Sequence, residues 1–76
     1  MKTVMIRLAT IEDIRNFVSA VLSFDFEIDL RSGRYLIDAK SIMGIFSLDL
    51  MNPIELIAHT EDTEALMAKI APFVVK

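Results

Sequence analysis

The spacing of hydrophobic positions changes period repeatedly along this chain, and each change marks an element. Val4, Ile6 and Leu8 take alternate positions in a run over 3–8, the period of a strand with one buried face. From Thr10 the spacing lengthens. Ile14, Phe17, Val18, Val21 and Leu22 recur at i, i+3, i+4, i+7 and i+8, which predicts a helix with a single buried stripe. Thr10-Ile11-Glu12-Asp13 reads as a capping-box-like start, with Glu12 and Asp13 suited to the positive end of the helix dipole. Period two then returns: Phe24, Phe26, Ile28 and Leu30 alternate with Asp25, Glu27 and Asp29, one face buried and the other wet. Arg31-Ser32-Gly33-Arg34 is a turn in which Gly33 can take a positive φ, and Tyr35–Ala39 returns as the second arm of a hairpin.

The second half repeats the plan. Ser41 is a good N-cap for a short helix reaching about Ser47. Asn52-Pro53 signals a turn, and Pro53–Thr60 reads as a strand with Ile54, Leu56 and Ala58 on one face. Asp62 or Thr63 can cap a last helix that carries Ala65, Leu66, Ile70 and Phe73, with Pro72 near its end. The order β-α-β-β-α-β-α predicts one α+β domain over residues 1–76. Its two layers are a four-stranded antiparallel sheet and helices on one face of it, the other face being solvated. The middle helix is the oddity. Ile42, Met43, Ile45 and Phe46 surround it, so a helix barely two turns long cannot bury all four; Ile45 and Phe46 are expected to pack inward, Ile42 and Met43 to face partly outward.

Composition narrows the function. There is no cysteine, which removes disulfides, thiolate metal sites and thiol nucleophiles, and fits a reducing compartment. The net charge is −3, and the basic residues Lys2, Arg7, Arg15, Arg31, Arg34, Lys40, Lys69 and Lys76 are scattered, so nucleic acid is not the expected partner. The first apolar run is broken by Arg7 and no run approaches a membrane span, so the expected location is cytoplasmic, with no membrane partner. More than half of the residues (54%) are apolar, enough to leave some exposed for a protein partner or for self-association. No zinc spacing, Gly-rich phosphate loop or Ser/His/Asp set is present, and no cofactor or metal is expected. Asp25, Glu27 and Asp29 read as a solvated strand face, Asp38 and Asp49 as turn and charge residues beside the short helix, and His59, the single histidine, as a strand-end residue.

Lys40-Ser41-Ile42-Met43-Gly44, followed by an apolar pair and Ser47-Leu48 after a hairpin, resembles the regulatory-serine segment of the HPr phosphocarrier family of the bacterial sugar phosphotransferase system. The hairpin from Glu27 can be laid on the family pattern without a gap, and the remaining elements follow it at lower specificity. The resemblance implies an HPr-like open-faced β-sandwich, βαββαβα. In that family the active histidine precedes the first helix in a Gly-x-His-Ala-Arg-Pro segment. Extending the alignment backwards sets Thr10 at the histidine, Glu12 at the arginine and Asp13 at the proline, with the preceding loop a few residues shorter. Ser41 aligns with the serine that an ATP-dependent kinase phosphorylates in many Gram-positive bacteria, and a phosphate there would gain from the helix start and from Lys40. Read from the residues alone, Ser41 is first of all an N-cap; the resemblance brings the two readings level.

The resemblance therefore implies a regulatory, non-enzymatic interaction module rather than a histidine phosphocarrier. Its expected contact set is Lys40, Ile42, Met43, Phe46 and Ser47, its expected phosphorylation site Ser41, and its expected partners a kinase or transcription regulator. Two alternatives stay open at this point: a phosphocarrier that uses a non-standard residue such as His59 or Thr10, and a structural relative that self-associates.

Overall fold

The computed structural model describes residues 1–75. Strand β1 (Lys2–Ile6) leads to helix α1 (Ile11–Leu22), hairpin strands β2 (Ile28–Ser32) and β3 (Tyr35–Asp38), short helix α2 (Ile42–Phe46), strand β4 (Ile54–Ala58) and helix α3 (Glu64–Ile70). A single 3-10 turn, Ala71–Phe73, follows. The sheet is wholly antiparallel in the order β1-β4-β2-β3, so the last strand in sequence lies between the first two. Side chains that face the helices close the core: Ile6, Ile28, Leu30, Ile54, Leu56 and Ala58 from the sheet meet Ile14, Phe17, Val21, Leu66 and Ile70. Phe17 meets Phe73 edge to face, with ring centroids 5.7 Å apart, which fastens the C-terminal turn onto α1.

The predicted α+β order is the observed one, and the differences lie at element ends. β1 stops at Ile6 instead of 8, because its partner ends at Ile54 after Pro53, which has no N–H to offer. Leu8 is still buried, beyond the strand. β2 begins at Ile28, four residues later than the alternation of Phe24 and Phe26 predicts. Phe24 and Phe26 are half-buried against the core, with rings 5.4 Å apart, in an irregular link whose carbonyls bond to Lys40. At its other end β2 runs on to Ser32, so the hairpin is tighter than a four-residue turn. Leu22 is 59% exposed rather than part of the buried stripe: eight residues past Ile14 it sits about 80° round the helix, at the stripe's margin. Ala65 is exposed and Phe73 half-buried, while Leu66 and Ile70 are buried as expected. Thr63 stands at the start of α3 without a side-chain cap, and Asp62 Oδ1 instead accepts from the Glu64 N–H at 3.3 Å.

The hairpin turn depends on one backbone angle. Ser32 pairs with Tyr35, which leaves Gly33-Arg34 as a two-residue loop, and Gly33 has φ +62° while no other among the described residues has a positive φ. A glycine at the first central position is the requirement of a type II′ turn. A Cβ there would touch nothing within 4 Å, so its cost is conformational alone. Gly33→Ala is expected to lower stability by about 1 kcal/mol, and Gly33→Asn by less, measured as urea midpoints at unchanged slope.

Candidate functional site

Two helix starts carry the candidate chemistry, and each is built from its own local sequence. At α1, Thr10 has extended backbone (φ −129°, ψ 164°) and its Oγ1 accepts the Asp13 N–H at 3.0 Å. The Asp13 carboxylate reaches back in return. Its Oδ2 accepts the N–H of Ala9 at 3.1 Å and of Thr10 at 3.3 Å. This is a full capping box with an extra donor, and it leaves a carboxylate seated on the two N–H groups just before the helix. Glu12 adds a second acidic side chain to the same turn. The outward side of α1 is a shallow groove lined by Ile11, Glu12, Arg15, Asn16 and Ser19.

At α2, Ser41 is exposed and extended (φ −96°, ψ 102°), and its Oγ accepts the Gly44 N–H at 3.1 Å while its carbonyl accepts from Ile45. Gly44 permits a close approach: a Cβ there would lie 3.2 Å from the Ser41 hydroxyl oxygen and 3.3 Å from Ile37 Cδ1, so the glycine lets α2 rest on β3 while keeping its cap. Ser47 closes the other end, its hydroxyl donating to the Gly44 carbonyl at 2.6 Å.

The expected contact residues divide. Met43 is 76% exposed and Ile42 half-buried, as their positions predicted. Ile45 is fully buried, but Phe46 is 44% exposed rather than packed inward with it: neighbours on a helix are 100° apart, and a five-residue helix has one side against the core. Ser47 is tied into the helix end. Lys40 does not stand free beside Ser41. Its Nζ donates to the carbonyls of Phe24 at 2.7 Å and Phe26 at 3.1 Å, joining the start of α2 to the link after α1. The sequence carries only a hint of that clamp, a long lysine just before the short helix; in the link, the Glu27 carbonyl accepts the His59 N–H at 2.9 Å, and those of Phe24 and Phe26 are left to Lys40.

His59 lies far from α1's start along the sheet. Ala58 pairs with Lys2 and Ile54 with Ile6, so His59 is beside the beginning of β1, about 13 Å of strand from the end that leads into α1. Its Nε2–H donates to Asp29 Oδ2 at 2.7 Å, a partner that the sequence could not reveal without the β2–β4 register. Among the described residues, no cluster of three or more His, Cys, Asp or Glu could hold a metal ion, and no helix is long and apolar enough to cross a membrane.

These two helix starts on a β1-β4-β2-β3 sheet now have a context. The family model for the PTS HPr component phosphorylation site matches residues 13–76, and the chain belongs to the HPr family. The match opens at Asp13 and takes in the whole Ser41 helix; Thr10 lies before it. Among solved structures, the crystal structure of HPr-C-His from Thermoanaerobacter tengcongensis is similar over 96% of this chain and 91% of that one, with a TM-score of 0.81 and 28% identity. A search of the curated proteins finds no match.

The geometry gives two tests. Thr10→Val and Asp13→Ala each remove one half of the capping box and are expected to cost about 1 kcal/mol. The double variant should cost clearly less than the sum, because the halves act as a unit, and urea unfolding of all four proteins measures the coupling. Lys40→Met removes a cation from two carbonyls while keeping the aliphatic stem. A loss of about 2 kcal/mol is expected, with faster amide exchange concentrated in residues 24–27.

Proposed function

We propose that this member of the HPr family is a non-catalytic regulatory module: it works by protein contact through the 41–47 helix, takes phosphate on Ser41, and does not carry phosphate on a histidine. What supports the second half is the self-capped start of α1. A phosphoryl group accepted there would be stabilised by helix-terminal N–H groups. In this chain the Asp13 carboxylate already bonds to the N–H groups of Ala9 and Thr10, and Glu12 is alongside. A phosphate at this helix start would lie against both carboxylates and be repelled by them. The single histidine is bonded to Asp29 at the other end of β1.

What supports the first half is an exposed, ordered apolar surface on helices in mutual contact. α1 and α2 touch, and they present Ile11, Met43 and Phe46 to solvent. Unbranched methionine and a half-exposed aromatic suit a protein contact. Ser41 is exposed beside them, and a phosphate on its oxygen would keep the bond to the Gly44 N–H within reach. No catalytic group is needed in this reading, and the partners are proteins: a kinase that acts on Ser41 and a regulator that reads the helix, both in the cytoplasm.

The test has two arms. With ATP and an HPr kinase, intact mass is expected to show one phosphate, absent in Ser41→Ala, with turnover reduced at least tenfold in Met43→Lys. With phosphoenolpyruvate and Enzyme I, no label is expected. Label transferred from phosphoenolpyruvate overturns the reading in favour of a working phosphocarrier, and lack of any phosphate on Ser41 overturns its regulatory form.

A further inference from the structure

The two margins of the sheet are treated differently. Along β1, the C-terminal segment continues the ladder: Arg7 N–H bonds to the Phe73 carbonyl at 2.8 Å, Ile6 bridges Val74, and Val75 N–H bonds to the Met5 carbonyl at 2.9 Å. That margin is covered. β3 has β2 on one side and, among the described residues, no strand on the other. Its guards are few: the strand is short and carries one charge, Asp38, but Tyr35-Leu36-Ile37-Asp38 contains neither proline nor lysine. Tyr35 and Leu36 are 64% and 59% exposed.

The hairpin fixes which backbone groups are free. The Ala39 N–H donates to the Ile28 carbonyl at 2.8 Å, so the alternation of an antiparallel pair turns the peptide groups of Ile37 and Tyr35 toward β2 as well. Leu36 and Asp38 turn theirs outward. The same two residues pair with Arg31 and Asp29, which places their side chains on the solvated face of the sheet; Arg34 lies two positions before Leu36, in the turn.

This row is self-complementary. In a two-fold antiparallel pairing centred on Leu36, Leu36 faces Leu36 of a second copy, and Arg34 faces the second copy's Asp38, twice over. A shift of two residues one way sets Leu36 against Asp38, and the other way against Arg34, an apolar–charge mismatch in either case. Charge therefore selects the first register. We propose that β3 is a self-association edge: two copies of this chain join β3 to β3 through Leu36, flanked by two Arg34–Asp38 ion pairs, and form one continuous eight-stranded sheet. A strand this short buries little area, so the dimer is weak and dependent on concentration. The inference is independent of the function proposed for α1 and α2, which lie in the other layer.

Sedimentation of the full chain from roughly 10 μM to about 1 mM tests it, a range that resolves a weak dimer. The wild type is expected to move from monomer to dimer, less so in high salt. Arg34→Asp and Leu36→Lys, both at exposed positions, are each expected to weaken the dimer roughly tenfold or more. Asp38→Arg should do the same, and an equimolar mixture of Arg34→Asp with Asp38→Arg should recover it, because each cross-edge pair is again opposite in charge. Circular dichroism checks that each variant is folded. If Asp38→Arg, which also loses its bond to the Lys40 N–H, does not fold, the first two variants and the concentration-dependent protection of the Leu36 amide still decide. A wild type that stays monomeric throughout overturns the proposal. So does a dimer unaffected by Leu36→Lys, or one abolished by Met43→Lys.

Discussion

Everything in this small domain hangs on β4. It is the last strand in the sequence, and it pairs with β1 over all five of its residues and with β2 over four of them, Glu55 to Ala58. Ile54, Leu56 and Ala58 are wholly buried beneath the helices. A slip of one residue would turn all three to solvent and bring Glu55 and Ile57 to the core, so burial specifies a single register. The same register places Glu55 against Arg31 on the solvated face, where the two form an ion pair. Because β1 and β2 meet only through a strand that comes some fifty positions after β1, the sheet closes by non-local contacts, and little of it can be stable before residue 54 is in place.

That register also decides where chemistry can occur. It separates His59 from the start of α1 by the length of β1 and hands it to Asp29, so two groups that a phosphoryl-transfer site would need in one place are held apart by the most constrained strand in the fold. At α1 itself the competition is between an internal and an external anion. The Asp13 carboxylate belongs to the helix and binds the N–H groups of Ala9 and Thr10 just before it, so it needs no association entropy to stay there. A phosphate from solution must offset both that advantage and the charge of Glu12. The fold is common to the family; what happens at this helix start is a matter of three side chains.

The elements were legible because their periods are clean. The stripe from Ile14 to Val21, the alternation of Ile54, Leu56 and Ala58, and the Ser41 cap all have the burial their spacing predicts. Misreadings arose where a local pattern met a tertiary demand. Phe24 and Phe26 alternate like strand residues, yet bonding to the β4 side stops at the His59 N–H on the Glu27 carbonyl, and Lys40 takes the carbonyls of both phenylalanines. Leu22 fits the helical period but sits at its margin. Phe46 is apolar and still half-exposed, because which side of a two-turn helix is buried depends on neighbours and not on spacing. The Thr10–Asp13 box could be read from the sequence, since both partners lie within one turn. The Lys40 clamp and the His59–Asp29 pair could not, since each joins residues brought together only by the sheet.

α2 shows how a surface can be presented by a helix too short to stand alone. Five residues are far below the length at which a helix is stable by itself in water. It is held instead at points along its length: the Ser41 cap, the Lys40 clamp just before it, Ile45 in the core, Gly44 against Ile37, and the Ser47 hydroxyl at its end. None of these contacts is made by Met43 or Phe46, which stay exposed on a helix held by its neighbours. A partner that docks on them meets a surface whose ordering cost has already been met by the fold, and this preorganisation is what a weak apolar patch needs in order to bind at all. The contact of Gly44 with Ile37 also sets α2 on β3, so the margin of the sheet and the apolar helix are mechanically one unit, with Ile37 facing the helix and Leu36 facing away.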